Sequence, residues 1–208
     1  TNEINQNVKL DFKKTKIYLN LSELNLIIKL KSPKIFIKNN QIYLSKLDLF
    51  LSLKSYFKSD FLLQRAEVAF VKNDIKDLTK ITNIFLPRII NKRLNKVFEK
   101  GNLEGEFVIP FEPDGTMSKD YKFSGKILDA SINLTKKFPI KNLTAEINYG
   151  KRVKNDGFTA LIRQGSVLDL ELTGSTINLQ REKDEIRIKS FLSTNGKLGF
   201  SQIKIITS

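Results

Sequence analysis

Lys46-Leu47-Asp48-Leu49-Phe50-Leu51-Ser52-Leu53-Lys54 carries a leucine at every second position from 47 to 53. A period of two is the signature of a strand with one apolar face, because successive side chains point to opposite sides of the sheet. The same cadence runs outward in both directions. Toward the N-terminus it reads Val8, Leu10, Phe12; then Ile17, Leu19, Leu21; then Leu24, Leu26, Ile28, Leu30. Residues 34–38 lead to a turn at Asn39-Asn40, and Ile42 and Leu44 follow it. Toward the C-terminus come Phe61 and Leu63, then Ala66, Val68 and Phe70. Connections of a few residues imply antiparallel neighbours, since a parallel pair needs a long crossover.

One long segment breaks the cadence. From Asp74 the apolar residues Leu78, Ile81, Ile84 and Phe85 recur at spacings of three and four, the spacing of a helix stripe. Asp74 suits the N-cap, where its carboxylate accepts from first-turn amides. Pro87 lacks an amide donor and crowds the preceding turn, which predicts a kink near Leu86. Ile89, Ile90, Leu94, Val97 and Phe98 resume the stripe, and Gly101 is placed to end it. The spacing thus predicts one kinked amphipathic helix over 74–101, lying on a sheet. It divides a first strand ladder, 1–73, from a second, 102–208.

The second ladder is read from Phe107, Ile109 and Phe111, a turn at Glu112-Pro113-Asp114-Gly115, and a long strand over 123–134 broken at Gly125 or bulged near Asp129. Leu143, Ala145, Ile147 and Tyr149 alternate up to Gly150, and strands over 158–163, 167–173, 176–180, 185–191 and 197–206 follow. About 15 strands at roughly 4.8 Å each would make a sheet about 70 Å long. Such a sheet either closes on itself, burying its apolar face, or curls into an open groove. One very apolar face and a single helical segment to cover it favour the groove. The expected fold is therefore mostly β: a long, strongly curled antiparallel sheet with one helix.

Composition narrows the function. The 208 residues include no Cys and no His, which removes thiol and imidazole chemistry and most zinc sites. No metal set and no glycine-rich phosphate loop stand out, so no cofactor is expected. Catalysis would fall to carboxylates such as Glu104, Glu106, Glu112, Asp114, Asp184 and Glu185, which sit in turns or on outward positions where solvated carboxylates are ordinary. No enzyme is expected. Lys and Arg outnumber Asp and Glu by 36 to 22, a net charge of +14. That balance suits nucleic acid or anionic lipid. The Phe residues fall at apolar-face positions rather than among exposed Arg, so no specific nucleic-acid partner is expected. No apolar run approaches the roughly 18 residues of a membrane helix. The chain begins at Thr1 without a signal-like leader, and any membrane anchor is expected outside it.

Phe123-Ser124-Gly125-Lys126-Ile127-Leu128-Asp129-Ala130-Ser131-Ile132, followed by Phe138-Pro139-Ile140-Lys141-Asn142-Leu143-Thr144-Ala145-Glu146-Ile147 and by Leu168-Asp169-Leu170-Glu171-Leu172-Thr173-Gly174-Ser175-Thr176, has a recognisable cadence. A glycine-led apolar strand, a proline turn and an Asn-Leu-x-Ala-x-Ile strand resemble the repeats of the AsmA-like superfamily of envelope proteins, of the AsmA, TamB and YhdP type. The resemblance covers about a third of the chain closely and the remainder by pattern. It implies a section of a longer, bridge-like lipid-transfer β-groove, anchored in the inner membrane, periplasmic, and moving phospholipid between membranes in outer membrane biogenesis. No catalytic residue comes with it.

The groove candidates are the apolar positions Leu47, Leu49, Leu51, Leu53, Ile127, Leu170, Leu172, Ile186 and Ile188. The expected partners are phospholipid and, at the ends of the full-length protein, the membrane. The alternatives are a structural or adhesin-like β module with a closed core, or a basic polyanion-binding domain.

Overall fold

The computed structural model describes residues 8–37, 40–53, 62–82, 98–133, 139–152, 155–182, 185–197 and 199. Thirteen strands form one antiparallel sheet: β1 (Val8–Asp11), β2 (Lys14–Asn20), β3 (Asn25–Lys31), β4 (Lys34–Ile37), β5 (Asn40–Ser52), β6 (Leu63–Asp74), β7 (Phe98–Pro110), β8 (Lys122–Asn133), β9 (Pro139–Arg152), β10 (Asn155–Val167), β11 (Leu170–Glu171), β12 (Thr176–Glu182) and β13 (Glu185–Phe191). The main order is β1-β4-β5-β6-β7-β8-β9-β10-β12-β13, with β3 also on β5, β2 on β3 and β11 on β10. The order does not return to its start, so the sheet is open rather than a barrel. A short helix, α1 (Ile75–Thr82), follows β6 directly among the described residues. The chain divides into two compact units, Thr1–Lys72 with Glu104–Phe123, and Asn73–Leu103 with Ser124–Ser208.

In the first unit three long arms lie side by side. β3 and β4 form one line against β5: Asn25 faces Ser52, Leu30 faces Leu47, Lys34 faces Tyr43 and Ile37 faces Asn40, with no slip in register. β1 and β2 form a second line against them, Val8 facing Ile37 and Lys14 facing Lys31. All three lines are disturbed at one level. β1 and β2 part at Phe12-Lys13, and β3 and β4 part at Ser32-Pro33, where Ser32 has a φ of 50°. At the same level Ser45 is an extra residue relative to β6, since Leu44 pairs with Phe70 but Lys46 with Ala69.

The cause is in the sequence. Apolar residues fall on even positions in Leu26, Ile28 and Leu30 but on odd ones at Ile35; on even positions in Ile42 and Leu44 but on odd ones from Leu47; on even positions in Leu10 and Phe12 but on odd ones in Ile17 and Leu19. A one-residue slip would turn each apolar set to the other face. A break or bulge absorbs it and keeps the set on one side. Phe70, Phe107 and Phe123 fill the interior of this unit, with ring centroids 6.1, 6.0 and 4.5 Å apart.

The second unit holds α1. Asp74 Oδ1 accepts from the Lys76 amide at 2.7 Å, which is the expected N-cap. The helical end expected at Gly101 is corrected: residues from Phe98 to Gly101 belong to β7, and Glu99 accepts from the Asn133 amide side chain of β8 at 2.6 Å. Phe98, the last residue of the expected helix stripe, starts the strand instead. Gly101 serves close packing instead: a Cβ there would lie 2.6 Å from Ala130 Cβ and 3.2 Å from Ile75 Cδ1. The kink expected at Pro87 lies outside the described residues.

Two further expectations are corrected. β9 does not turn at Gly150 but runs through it, pairing Gly150 with Gly157. The strand expected over 167–173 is a tight hairpin, Val167 pairing with Leu170 across Leu168 and Asp169, both at positive φ (49° and 64°). Two left-handed central residues make the two-residue turn whose twist matches that of the strands. Asp129, at φ 51°, marks the irregularity expected in β8. The core of this unit includes Ile132, Ile140, Leu143, Ala145, Ile147, Ala160, Ile162 and Leu172.

Candidate functional site: an apolar sheet face

Cross-strand neighbours share a face. In the first unit the registers therefore set out three rows across β2, β3, β5 and β6. They are Thr15-Leu30-Leu47-Val68, Ile17-Ile28-Leu49-Ala66 and Leu19-Leu26-Leu51-Leu63. Eleven of these twelve side chains are apolar. Exposure is graded along the rows. Leu30, Leu47 and Ala66 are buried, while Leu26, Ile28, Leu49, Leu51, Leu63 and Val68 are half-buried. On β2, Ile17 and Leu19 are 63% and 57% exposed, and Leu21 and Leu24 of the adjoining turn are 69% and 44% exposed. Most large aliphatic side chains of a strand with this pattern would be covered, so a contiguous apolar face that opens toward one edge marks a contact surface.

The opposite face of the same strands is charged, and its charges on β5 and β6 are paired. Lys29 Nζ lies 3.5 Å from Asp48 Oδ2. Lys46 Nζ reaches Glu67 Oε2 at 2.6 Å and Glu106 Oε1 at 3.0 Å. Arg65 Nε is 3.1 Å from Glu67 Oε1, an ion-pair contact without the angle of a hydrogen bond, and its guanidinium lies 3.9 Å over the Phe50 ring. Asp48 and Ser52 are thus more buried than Leu49 and Leu51 between them, by packing on this second face.

Burial works to lower the Lys46 pKa, but the hydrogen bonds and charges of Glu67 and Glu106 outweigh it and hold it above the ordinary 10.5. A raised folded-state pKa gives stability that is complete below 10.5 and is lost as pH rises through the folded value. Melting curves of the wild type and Lys46→Met from about pH 9 to about pH 12 should converge at the alkaline end. A gap that persists there would remove the ion pairs from the account.

Of the sequence-expected site residues, Leu47, Leu49 and Leu51 share this face, and Leu53 follows it directly, half-buried, its amide donating to the Leu24 carbonyl at 3.0 Å. The others belong to the second unit. Ile127 is buried and Leu172 is 2% exposed, so both are core; Leu170 is half-buried on β11. Ile186 and Ile188 lie on β13, with side chains outside the described residues. Sequence reasoning left out Ile17, Leu19, Leu26 and Ile28, although the same period of two carried them. No metal-binding group of acidic side chains occurs among the described residues, and no described helix is long and apolar enough to cross a membrane.

Fold and site together define a class: an open antiparallel sheet that presents an exposed apolar face backed by a charged one. Compared with protein-family models, curated proteins and solved structures, the chain gives no match.

Proposed function

We propose that this chain is a non-enzymatic section of a bacterial envelope protein that holds phospholipid acyl chains against an apolar sheet face and helps phospholipid pass between membranes. In this reading it works in the periplasm, joined to the inner membrane through a segment outside this chain. The observation that carries the proposal is the three-row face of β2, β3, β5 and β6, which is exposed at its β2 edge. Acyl chains suit it because each methylene moved from water onto apolar surface gains about 0.8 kcal/mol. The resemblance of the segments over 123–132, 138–147 and 168–176 to the AsmA-like repeats supports the same reading. The mechanism is passive: the chain leaves one apolar environment for another, and the headgroup stays in water.

The direct test is phospholipid extracted from the purified chain and weighed by mass spectrometry; a lipid-free protein purified without detergent would overturn the proposal. A finer test uses photo-crosslinking side chains on β2. In the purified chain without vesicles, those at Ile17 or Leu19 should capture lipid, and one at Tyr18, exposed on the opposite face, should not. Equal labelling of both faces would remove the face from the account.

A further inference from the structure

The opposite face of the β2–β3 hairpin carries a feature that the lipid-holding reading does not use. Lys14 stands directly across from Lys31, and Lys16 across from Lys29, all four on one side of the two strands. Like charges at directly opposed positions destabilise a sheet. Only Lys29 has a carboxylate, Asp48; Lys14, Lys16 and Lys31 have no acidic partner among the described residues. Lysine on an edge strand guards against aggregation, which accounts for Lys14 and Lys16 on β2. It does not account for Lys29 and Lys31, because β3 is an inner strand held by β2 and β5.

The same hairpin ends in exposed aliphatic side chains. Ile17, Leu19, Leu21 and Leu24 are all well exposed, while the polar groups of its turn bond to one another: Ser22 Oγ donates to Asn20 Oδ1 at 2.7 Å, and Asn25 Nδ2 donates to Glu23 Oε2 at 2.9 Å. The two lysine ranks sit three and five residues behind the Leu19–Leu26 rank, about 10 and 17 Å along the strands. A nucleic acid would satisfy the lysines and leave the aliphatic end in water. An anionic bilayer satisfies both, with apolar side chains entering the boundary of the hydrocarbon and lysines reaching the phosphates above it.

We infer that the β2–β3 hairpin is a membrane-docking element, which inserts Ile17, Leu19, Leu21 and Leu24 shallowly into an anionic lipid surface while Lys14, Lys16, Lys29 and Lys31 hold the headgroup phosphates. Glu23 at the turn limits the depth, since a carboxylate resists transfer to hydrocarbon. This inference stands apart from the lipid-holding reading: a protein can dock without carrying lipid, and carry lipid without docking here.

The test is sedimentation of the full chain with phosphatidylcholine vesicles, with and without about one-third phosphatidylglycerol, at roughly 0.15 M salt. Partitioning should rise at least ~10-fold with the anionic lipid. Lys14→Gln/Lys16→Gln/Lys31→Gln should lower it by ~30-fold or more, since each lysine near an anionic surface is worth about fivefold. Lys119→Gln/Lys122→Gln/Lys126→Gln, which removes the same charge elsewhere, should change it little. The chain has no Trp, so Leu19→Trp is a clean reporter of insertion. Its emission should shift to the blue and be quenched by brominated acyl chains, while Met117→Trp, on an exposed turn, should not respond. Equal loss from both lysine triples, or an unquenched tryptophan at position 19, overturns the inference. Binding to an RNA oligonucleotide that survives 0.15 M salt and Leu19→Ser unchanged would overturn it in favour of a polyanion site.

Discussion

Gly101→Val is expected to lower the melting temperature by roughly 10 °C, or to abolish folding of the second unit. Three effects coincide at this position. Its φ of +142° lies where side-chain-bearing residues are rarely found, at a cost of about 1–3 kcal/mol. A Cβ would stand 2.6 Å from Ala130 Cβ and 2.8 Å from Ala130 Cα, so backbone as well as side chain blocks it. The third contact, Ile75 Cδ1 at 3.2 Å, ties the strand to the first turn of α1. Overpacking of this kind costs a further 1–3 kcal/mol. Together these make about 2–6 kcal/mol, and each kcal/mol moves the melt of a protein this size by about 2–4 °C.

Gly115→Ala is the control. Its φ is also positive, at 82°, but nothing lies within 4 Å of the position a Cβ would take. Only the backbone term remains, about 1 kcal/mol. Equal melts for the two variants would mean that β7 and β8 do not approach each other closely at Gly101.

Gly101 also shows where sequence reasoning reached its limit. A glycine after an apolar stripe is a natural helix stop, and nothing local distinguishes that use from a close strand crossing. The difference lies in Ala130, about thirty residues away in the chain, and short-range patterns do not carry such a distance. What was legible is what period two dictates. The strands, their antiparallel pairing, the open mostly-β sheet and the Asp74 cap follow from residues that act locally. The hairpin at Leu168-Asp169 was missed because leucine is a poor residue for a left-handed turn, and the apolar run over 167–173 reads as one strand.

The apolar face was half legible. Leu47, Leu49 and Leu51 stood out because they alternate without interruption, whereas Ile17 and Leu19 have the same phase but only their exposure sets them apart. The shift from even to odd apolar positions near 13, 32 and 45 was present in the sequence all along. It is a usable signal of a bulge level shared by several strands, because a slip in one strand alone would break the pairing with its neighbours.

The sharpest division between core and contact face is the pair Leu172→Asp and Leu51→Asp. Leu172 is 2% exposed, and its amide donates to the Gly165 carbonyl at 2.9 Å, which fixes it inside the second unit. An aspartate there would be a buried charge. Removing one partner from a buried pair costs about 3–5 kcal/mol, and a charge introduced with no partner costs at least as much. Against a total stability of about 5–15 kcal/mol, Leu172→Asp should leave little folded protein. Leu51 is half-buried between Leu26 and Leu63 on a face that opens toward β2. A carboxylate there can turn toward water, so Leu51→Asp should cost about 1–3 kcal/mol and leave a folded chain. Leu170→Asp, also half-buried, should behave likewise in the melt. The lipid readout then separates these two. A charge in the row of Leu19, Leu26, Leu51 and Leu63 puts a strongly hydrated group where an acyl chain would lie, and its desolvation opposes binding. Co-purified phospholipid should fall several-fold for Leu51→Asp and stay near wild type for Leu170→Asp, which lies on the other unit. If Leu51→Asp melts as early as Leu172→Asp, the face is closed core and the chain is a structural β module. If Leu51→Asp is folded and keeps its full complement of lipid, the acyl chains lie elsewhere.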